Sequence, residues 1–138
     1  MIIRITVPGD PKTQQRHRTF KRGTFTGTYD PSEKEKKNSL VICMNNRPDK
    51  PIDSPINMEL KFYFQRPKNH YGTGKKSSVL KDSSPLLHTS RPDVDNLQKF
   101  VMDSLNTVFY RDDSLICILS SAKLYDEVPR TEITIETI

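Results

Sequence analysis

Between Asp95 and Thr107 the chain carries helical apolar spacing on one side and its charge on the other. Turning by about 100° per residue, Leu97, Phe100, Val101, Ser104 and Leu105 gather on one face. Asp95, Asn96, Lys99 and Asp103 fall within roughly a 100° arc opposite them. A helix patterned this way has to bury its apolar face against another layer, and the sequence around it supplies a sheet. Ile3, Ile5 and Val7 alternate with Arg4 and Thr6, a first strand ended by Pro8-Gly9-Asp10-Pro11. Met58, Leu60, Phe62 and Phe64 alternate with Glu59, Lys61 and Tyr63, a second. Leu115 to Leu119 is apolar on both faces and reads as a central strand. Thr131 to Ile138 alternates again, with Ile133 and Ile135 inward.

Pro31-Ser32-Glu33 opens a second helix running to about Asn45, with Ser32 as N-cap and Glu33 where the helix dipole favours an acid. Leu40, Val41, Cys43 and Met44 give this helix one apolar side, and Pro48, Pro51 and Pro55 stiffen the link that follows. Residues 12–27 read as a basic loop or loose hairpin, and residues 66–91 as a long polar loop of the kind that is functional or mobile. There is no internal repeat and no point where either half would keep a sufficient core. The expected fold is α+β: one small domain over residues 1–138, with a mixed sheet of four to five strands and two main helices.

Hydrophobic residues make up only 33% of the chain and prolines number ten, which implies long polar loops on a modest core of a kind often completed by a partner subunit. The net charge of +5 favours a polyanionic partner. No apolar run approaches the roughly 18 residues of a membrane span, and Met1-Ile2-Ile3-Arg4 lacks the order of a signal peptide. A cytoplasmic location without membrane association is expected. Cys43 and Cys117 then read as buried free thiols in a reducing compartment.

Against this positive background the acids concentrate in one place. Arg91-Pro92-Asp93-Val94-Asp95-Asn96-Leu97-Gln98-Lys99 is followed by Asp103 and then Asp112-Asp113. Carboxylate oxygens are the fitting ligands for Mg²⁺ or Mn²⁺, which neutralise phosphoryl charge and activate water. Asp93 and Asp95 flank a helix start and can face one point, which Asp113 can reach from the sheet side. Lys99, one turn on from Asp95, can bind a phosphate oxygen or developing charge. Structural readings compete with each assignment. Asp93 and Asp95 can cap the helix, Asp95 with Gln98 resembling a capping box. Asp112-Asp113 can be an ordinary turn, and Lys99 with Asp95 and Asp103 can be helix ion pairs. None of these accounts for the basic loops on either side.

As a whole, the Asp-x-Asp-Asn-Leu-x-Lys segment, the Asp103-Ser104-Leu105-Asn106 that follows and the later Asp-Asp pair resemble the RusA family of Holliday junction resolvases. Pro8-Gly9-Asp10-Pro11-Lys12 with Arg16 and Arg18 is similar to that family's proline-then-basic opening. The resemblance implies a homodimeric endodeoxyribonuclease, dependent on Mg²⁺ with Mn²⁺ substituting, that resolves four-way junctions by paired symmetric nicks in recombination and repair. It assigns Asp93, Asp95 and Asp113 as metal ligands and Lys99 as the catalytic lysine, with Asp103 orienting Lys99. Two other readings stay open at this point: a DNA-binding protein without catalysis, and a related nuclease that prefers flaps or forks.

Lys12, Arg16, Arg18, Lys21 and Arg22 are candidate DNA contacts, as are Lys75 and Lys76 in the later loop with Lys68, His70 and Tyr71 beside them. Phe20, Phe25 and Tyr71 are candidates to stack at an opened junction. The three histidines show no paired metal spacing, so zinc is not expected. No Gly-x-Ser-x-Gly, Cys-His pairing or phosphate-binding glycine loop supports nucleophilic or nucleotide chemistry.

Overall fold

The computed structural model describes residues 1–138. Six strands and two helices follow one another as β1 (Ile2–Pro8), β2 (Arg18–Arg22), β3 (Phe25–Tyr29), α1 (Glu33–Cys43), β4 (Ile56–Gln65), α2 (Val94–Leu105), β5 (Ile116–Asp126) and β6 (Arg130–Thr137). Four strands form one mixed sheet in the order β1-β6-β4-β5, antiparallel except for the β4–β5 pair. The strands β2 and β3 make a separate antiparallel hairpin from the basic segment. The α+β reading holds, with a sheet at the lower end of the expected strand number.

Alternation decides which face of the sheet is dry. Ile3 and Ile5 of β1, Ile56, Met58, Leu60 and Phe62 of β4, and Ile133 and Ile135 of β6 are buried in one cluster. From the helices come Cys43, Leu97, Val101 and Leu105. On α2 the buried residues are Leu97, Phe100, Val101, Ser104 and Leu105, the face that the 100° reckoning selects. Complete burial of Leu97 is worth about 2–3 kcal/mol of apolar transfer, so this one face holds α2 on the sheet.

Four expectations are corrected. Leu115–Leu119 does not start a central strand: β5 is the sheet's edge, bonded along its length to β4 alone. Its two-faced apolarity leaves Ile118 52% exposed, and Cys117 is exposed as well, whereas Cys43 is buried as expected. On α1 only Cys43 is buried, while Val41 stands 72% exposed. Ser32 sits at the N-cap of α1 but makes no capping bond. Its hydroxyl instead accepts from the backbone N–H of Gln15 at 2.9 Å and donates to the carbonyl of Thr13 at 3.3 Å, tying the basic loop to the helix.

The 66–91 stretch is docked more firmly than its composition implies. Its last part, Leu86–His88, lies antiparallel along the far end of β5, with the N–H of His88 to Lys123 at 3.0 Å and the N–H of Tyr125 to Leu86 at 2.9 Å. The His88 ring stacks on Phe64 at 4.0 Å and packs against Tyr125, which takes His70 on its other contact.

Candidate active site

Asp93 occupies the N-cap position of α2, with extended backbone angles. Its carbonyl accepts the N–H of Leu97, but its carboxylate makes no capping bond. Asp95 stands in the first turn, exposed. The capping box imagined for Asp95 and Gln98 does not form, because the Gln98 amide reaches across to the Ser121 hydroxyl at 2.8 Å. Both acids are therefore left at the positive end of a helix, free of the structural duty that would explain them.

The first turn of α2 is also where the basic loop comes in. The N–H of Gln14 donates to the carbonyl of Asn96 at 3.1 Å. That contact opens a depression of about 530 Å³ lined by Thr13, Arg16, Arg91, Pro92, Asp93 and Asn96. A neighbouring hollow of about 280 Å³ continues over Gln14, Gln15, Arg16, His17, Asn96 and Lys99. Of the expected DNA contacts, Arg16 thus stands beside Asp93. Lys12 lies further along the same loop, Arg18, Lys21 and Arg22 are exposed on the hairpin, and Lys75 and Lys76 are exposed in a short turn of the later stretch. In the hairpin, Phe20 packs against Phe25 and Tyr29.

Behind the site runs a polar network that sequence reasoning missed. Asp30 accepts from the Gln14 amide at 2.8 Å, from the N–H of Ser32 at 2.9 Å and from Lys36 at 2.7 Å. Burial works against its charge, but the three donors win and lower its carboxyl to about 2. Lys36 also bonds Asp103 at 3.2 Å, and Asp103 lies 3.9 Å from Lys99. Asp103 thus lies between the two lysines, and Lys99, on the lining of the second hollow, remains 62% exposed. The signal in the sequence was faint: Gln14, Asp30 and Lys36 share no motif, and their partners are distant in the chain.

Asp112 and Asp113 sit apart from this. The Asp112 carboxylate accepts the N–H of Ser114 at 2.9 Å, and hydrogen bonding by the Ser114 side chain, then by this N–H, holds its pKa below the ordinary range. Asp113 is half-buried near Tyr110, whose phenol donates to the carbonyl of Met102 at 2.6 Å. Burial, then Asp113, then Asp103, pushes that phenol far up. No three His, Cys, Asp or Glu side chains gather closely enough to hold one metal ion. The donors are chemically right for a hard cation, but the expectation that Asp113 meets Asp93 and Asp95 from the sheet side is not met within one chain.

The profile of the RusA endodeoxyribonucleases matches residues 8–136, nearly the whole domain. The chain belongs to the RusA family. A Bacillus subtilis (strain 168) protein, YqaN, described as uncharacterized, is 34% identical over 138 residues, covering 99% of this chain and 96% of its own. The crossover junction endodeoxyribonuclease RusA of Lactococcus phage r1t is 29% identical over 132 residues, covering 93% and 91%. The RusA match spans α2, the basic loop and the Asp112-Asp113 turn together. No helix of this RusA chain is long and apolar enough to cross a membrane.

Proposed function

We propose that this RusA-family chain is a structure-specific endodeoxyribonuclease that resolves four-way DNA junctions by paired, symmetric nicks. The observation that carries the reading is Asp93, exposed and making no capping bond at the start of α2, beside Arg16 and Arg91 in an open depression, with Asp95 exposed in the first turn next to it. Such a surface suits a phosphodiester backbone laid across a cation-binding edge. Mg²⁺, with Mn²⁺ as substitute, is the cofactor that Asp93, Asp95 and Asp113 call for as hard oxygen donors. Lys99 would bind a non-bridging phosphate oxygen and its growing charge, a role supported by its exposure and by Asp103 3.9 Å away. The exposed cations from Lys12 to Arg22, with Lys75 and Lys76, fix affinity and position on the junction arms without reading sequence. A homodimer matches a two-fold symmetric substrate with one site per nicked strand.

The test is cleavage of a labelled four-way junction beside matched duplex and fork, with Mg²⁺ or chelator, for the wild type and Asp95→Asn. Metal-dependent nicks confined to the junction, lost in the variant while junction binding persists, are expected. Junction binding without cutting in any metal would sink the nuclease reading, and preferential cutting of forks would reassign the substrate.

A further inference from the structure

Lys99 is bracketed on α2 by two ties to the rest of the domain. Three residues before it, the carbonyl of Asn96 accepts the N–H of Gln14 at 3.1 Å. Four residues after it, the Asp103 carboxylate accepts from Lys36 of α1 at 3.2 Å. The two ties join behind the helix, because Asp30 takes the Gln14 amide at 2.8 Å and the Lys36 ammonium at 2.7 Å. A continuous run of hydrogen bonds therefore leads from Asn96 through Gln14, Asp30 and Lys36 to Asp103, and Lys99 stands on the stretch of helix between its two ends.

The two lysines at Asp103 are held very differently. Lys36 is the only hydrogen-bond donor to that carboxylate. Lys99 approaches the same oxygen, Oδ2, but stops at 3.9 Å, an ion pair without a hydrogen bond. The Lys36 side chain is 14% exposed, enclosed between Asp30 and Asp103, whereas Lys99 lines the hollow beside Arg16 and Asn96. Stability alone gives little reason to enclose a lysine in this way, since well-packed apolar residues would serve as well or better. Its charge has a clearer use next to Lys99. A carboxylate already bonded to one ammonium attracts a second without closing on it. With Lys36 made neutral, Asp103 would have Lys99 as its sole cation and would draw that ammonium into a charge-assisted hydrogen bond, away from the hollow.

Resting on the nuclease reading above, we infer that Lys36 is a positioning residue for the reaction. By occupying Asp103, it keeps the Lys99 ammonium oriented but uncommitted, with its N–H groups available to a phosphate oxygen. Asp30 and Gln14 complete the device by fixing Lys36 to the loop that packs on the first turn of α2.

The experiment is a double-mutant cycle on junction cleavage with Lys36→Met, Asp103→Asn and the two together, each first checked for a cooperative melt. Lys36→Met should lower kcat about 10-fold or more with KM nearly unchanged. Lys36→Arg, which still offers Asp103 a charged donor, should keep most of the rate. In the Asp103→Asn background Lys36→Met should cost little more, because Lys36 acts through Asp103. Losses that multiply in the double variant, or a raised KM at full kcat, would make Lys36 a structural tie and end the proposal. If Lys36→Met does not fold, Lys36→Gln, which keeps a donor for Asp30 without the charge, takes its place with the same expectations. A second readout needs neither metal nor DNA. NMR relaxation of the Lys99 side-chain methylenes should show a mobile end in the wild type and an ordered one in the neutral Lys36 variant, clamped on Asp103. Equal mobility in the two would overturn the inference. A wild type that cuts no junction removes the nuclease reading instead, and the relaxation result still decides whether Lys36 controls Lys99.

Discussion

Asp112 and Asp113 are neighbours with different employment. Asp112 is held by Ser114 in its own turn, so Asp112→Asn should lower the melting temperature slightly and leave cleavage nearly intact. Asp113→Asn should leave stability alone and cost cleavage roughly 100-fold or more, the scale lost with a single transition-state stabiliser. Junction cleavage and thermal melting of the two variants side by side decide this; equal losses in both would mean the pair acts as one. Asp30 gives a pH-dependent counterpart. Its carboxyl falls from 3.8 to about 2 on folding, so its contribution is fully present above 3.8 and is lost as pH drops toward 2. Asp30→Asn should cost about 2 kcal/mol near neutrality and flatten the stability curve in that acid window. Urea unfolding across pH 2 to 7 measures it, and an unchanged acid limb would show that the Lys36 pairing adds nothing.

Periodicity made the buried face of α2 and the inward residues of β1, β4 and β6 legible, because one face of each is dry and the other wet. It failed on β5 for a physical reason. A strand buried between neighbours and an edge strand can share the same two-faced apolar sequence, and pattern alone does not separate them. Asp93, Asp95 and Lys99 were legible as a motif, whereas Gln14, Asp30 and Lys36 were not, since their hydrogen bonds join residues far apart in the chain. The 66–91 stretch reads in sequence as a long polar loop because aromatic and histidine packing leaves no period. That packing predicts its own acid sensitivity. Burial, with Lys123 nearby, lowers the pKa of His88 beneath 6.5, so the docked loop is stabilised above 6.5 and loosens as pH falls through the lower folded value. Amide exchange at His88 and Tyr125 should therefore speed up between pH 7 and 5, and His88→Phe should remove the effect. Exchange rates that follow only the intrinsic pH trend would dismiss it.

At the scale of the molecule, the candidate contact cations Lys12, Arg16, Arg18, Lys21, Arg22, Lys75 and Lys76 are all exposed, so binding to DNA should be electrostatic and strongly salt-dependent. Replacing Arg16 by Ala should reduce the slope of log affinity against log salt by about 1, weakening junction and duplex alike. Titrations at several salt concentrations give the slope directly; an unchanged slope would place Arg16 outside the contact surface.

The sheet order also bears on how the molecule comes into being. The strand between β1 and β4 is β6, the last in sequence, while β4 and β5 must find each other across an intervening helix. Until β6 arrives, β1 has no hydrogen-bonding neighbour at all. Assembly therefore waits for the end of the domain and proceeds through pairings distant in sequence, which are slow to form. During synthesis the nascent chain has no stable half-sheet to rest in. Its folding should be a late, single event, with the uncharged stretch of β5 open to strangers until it is over.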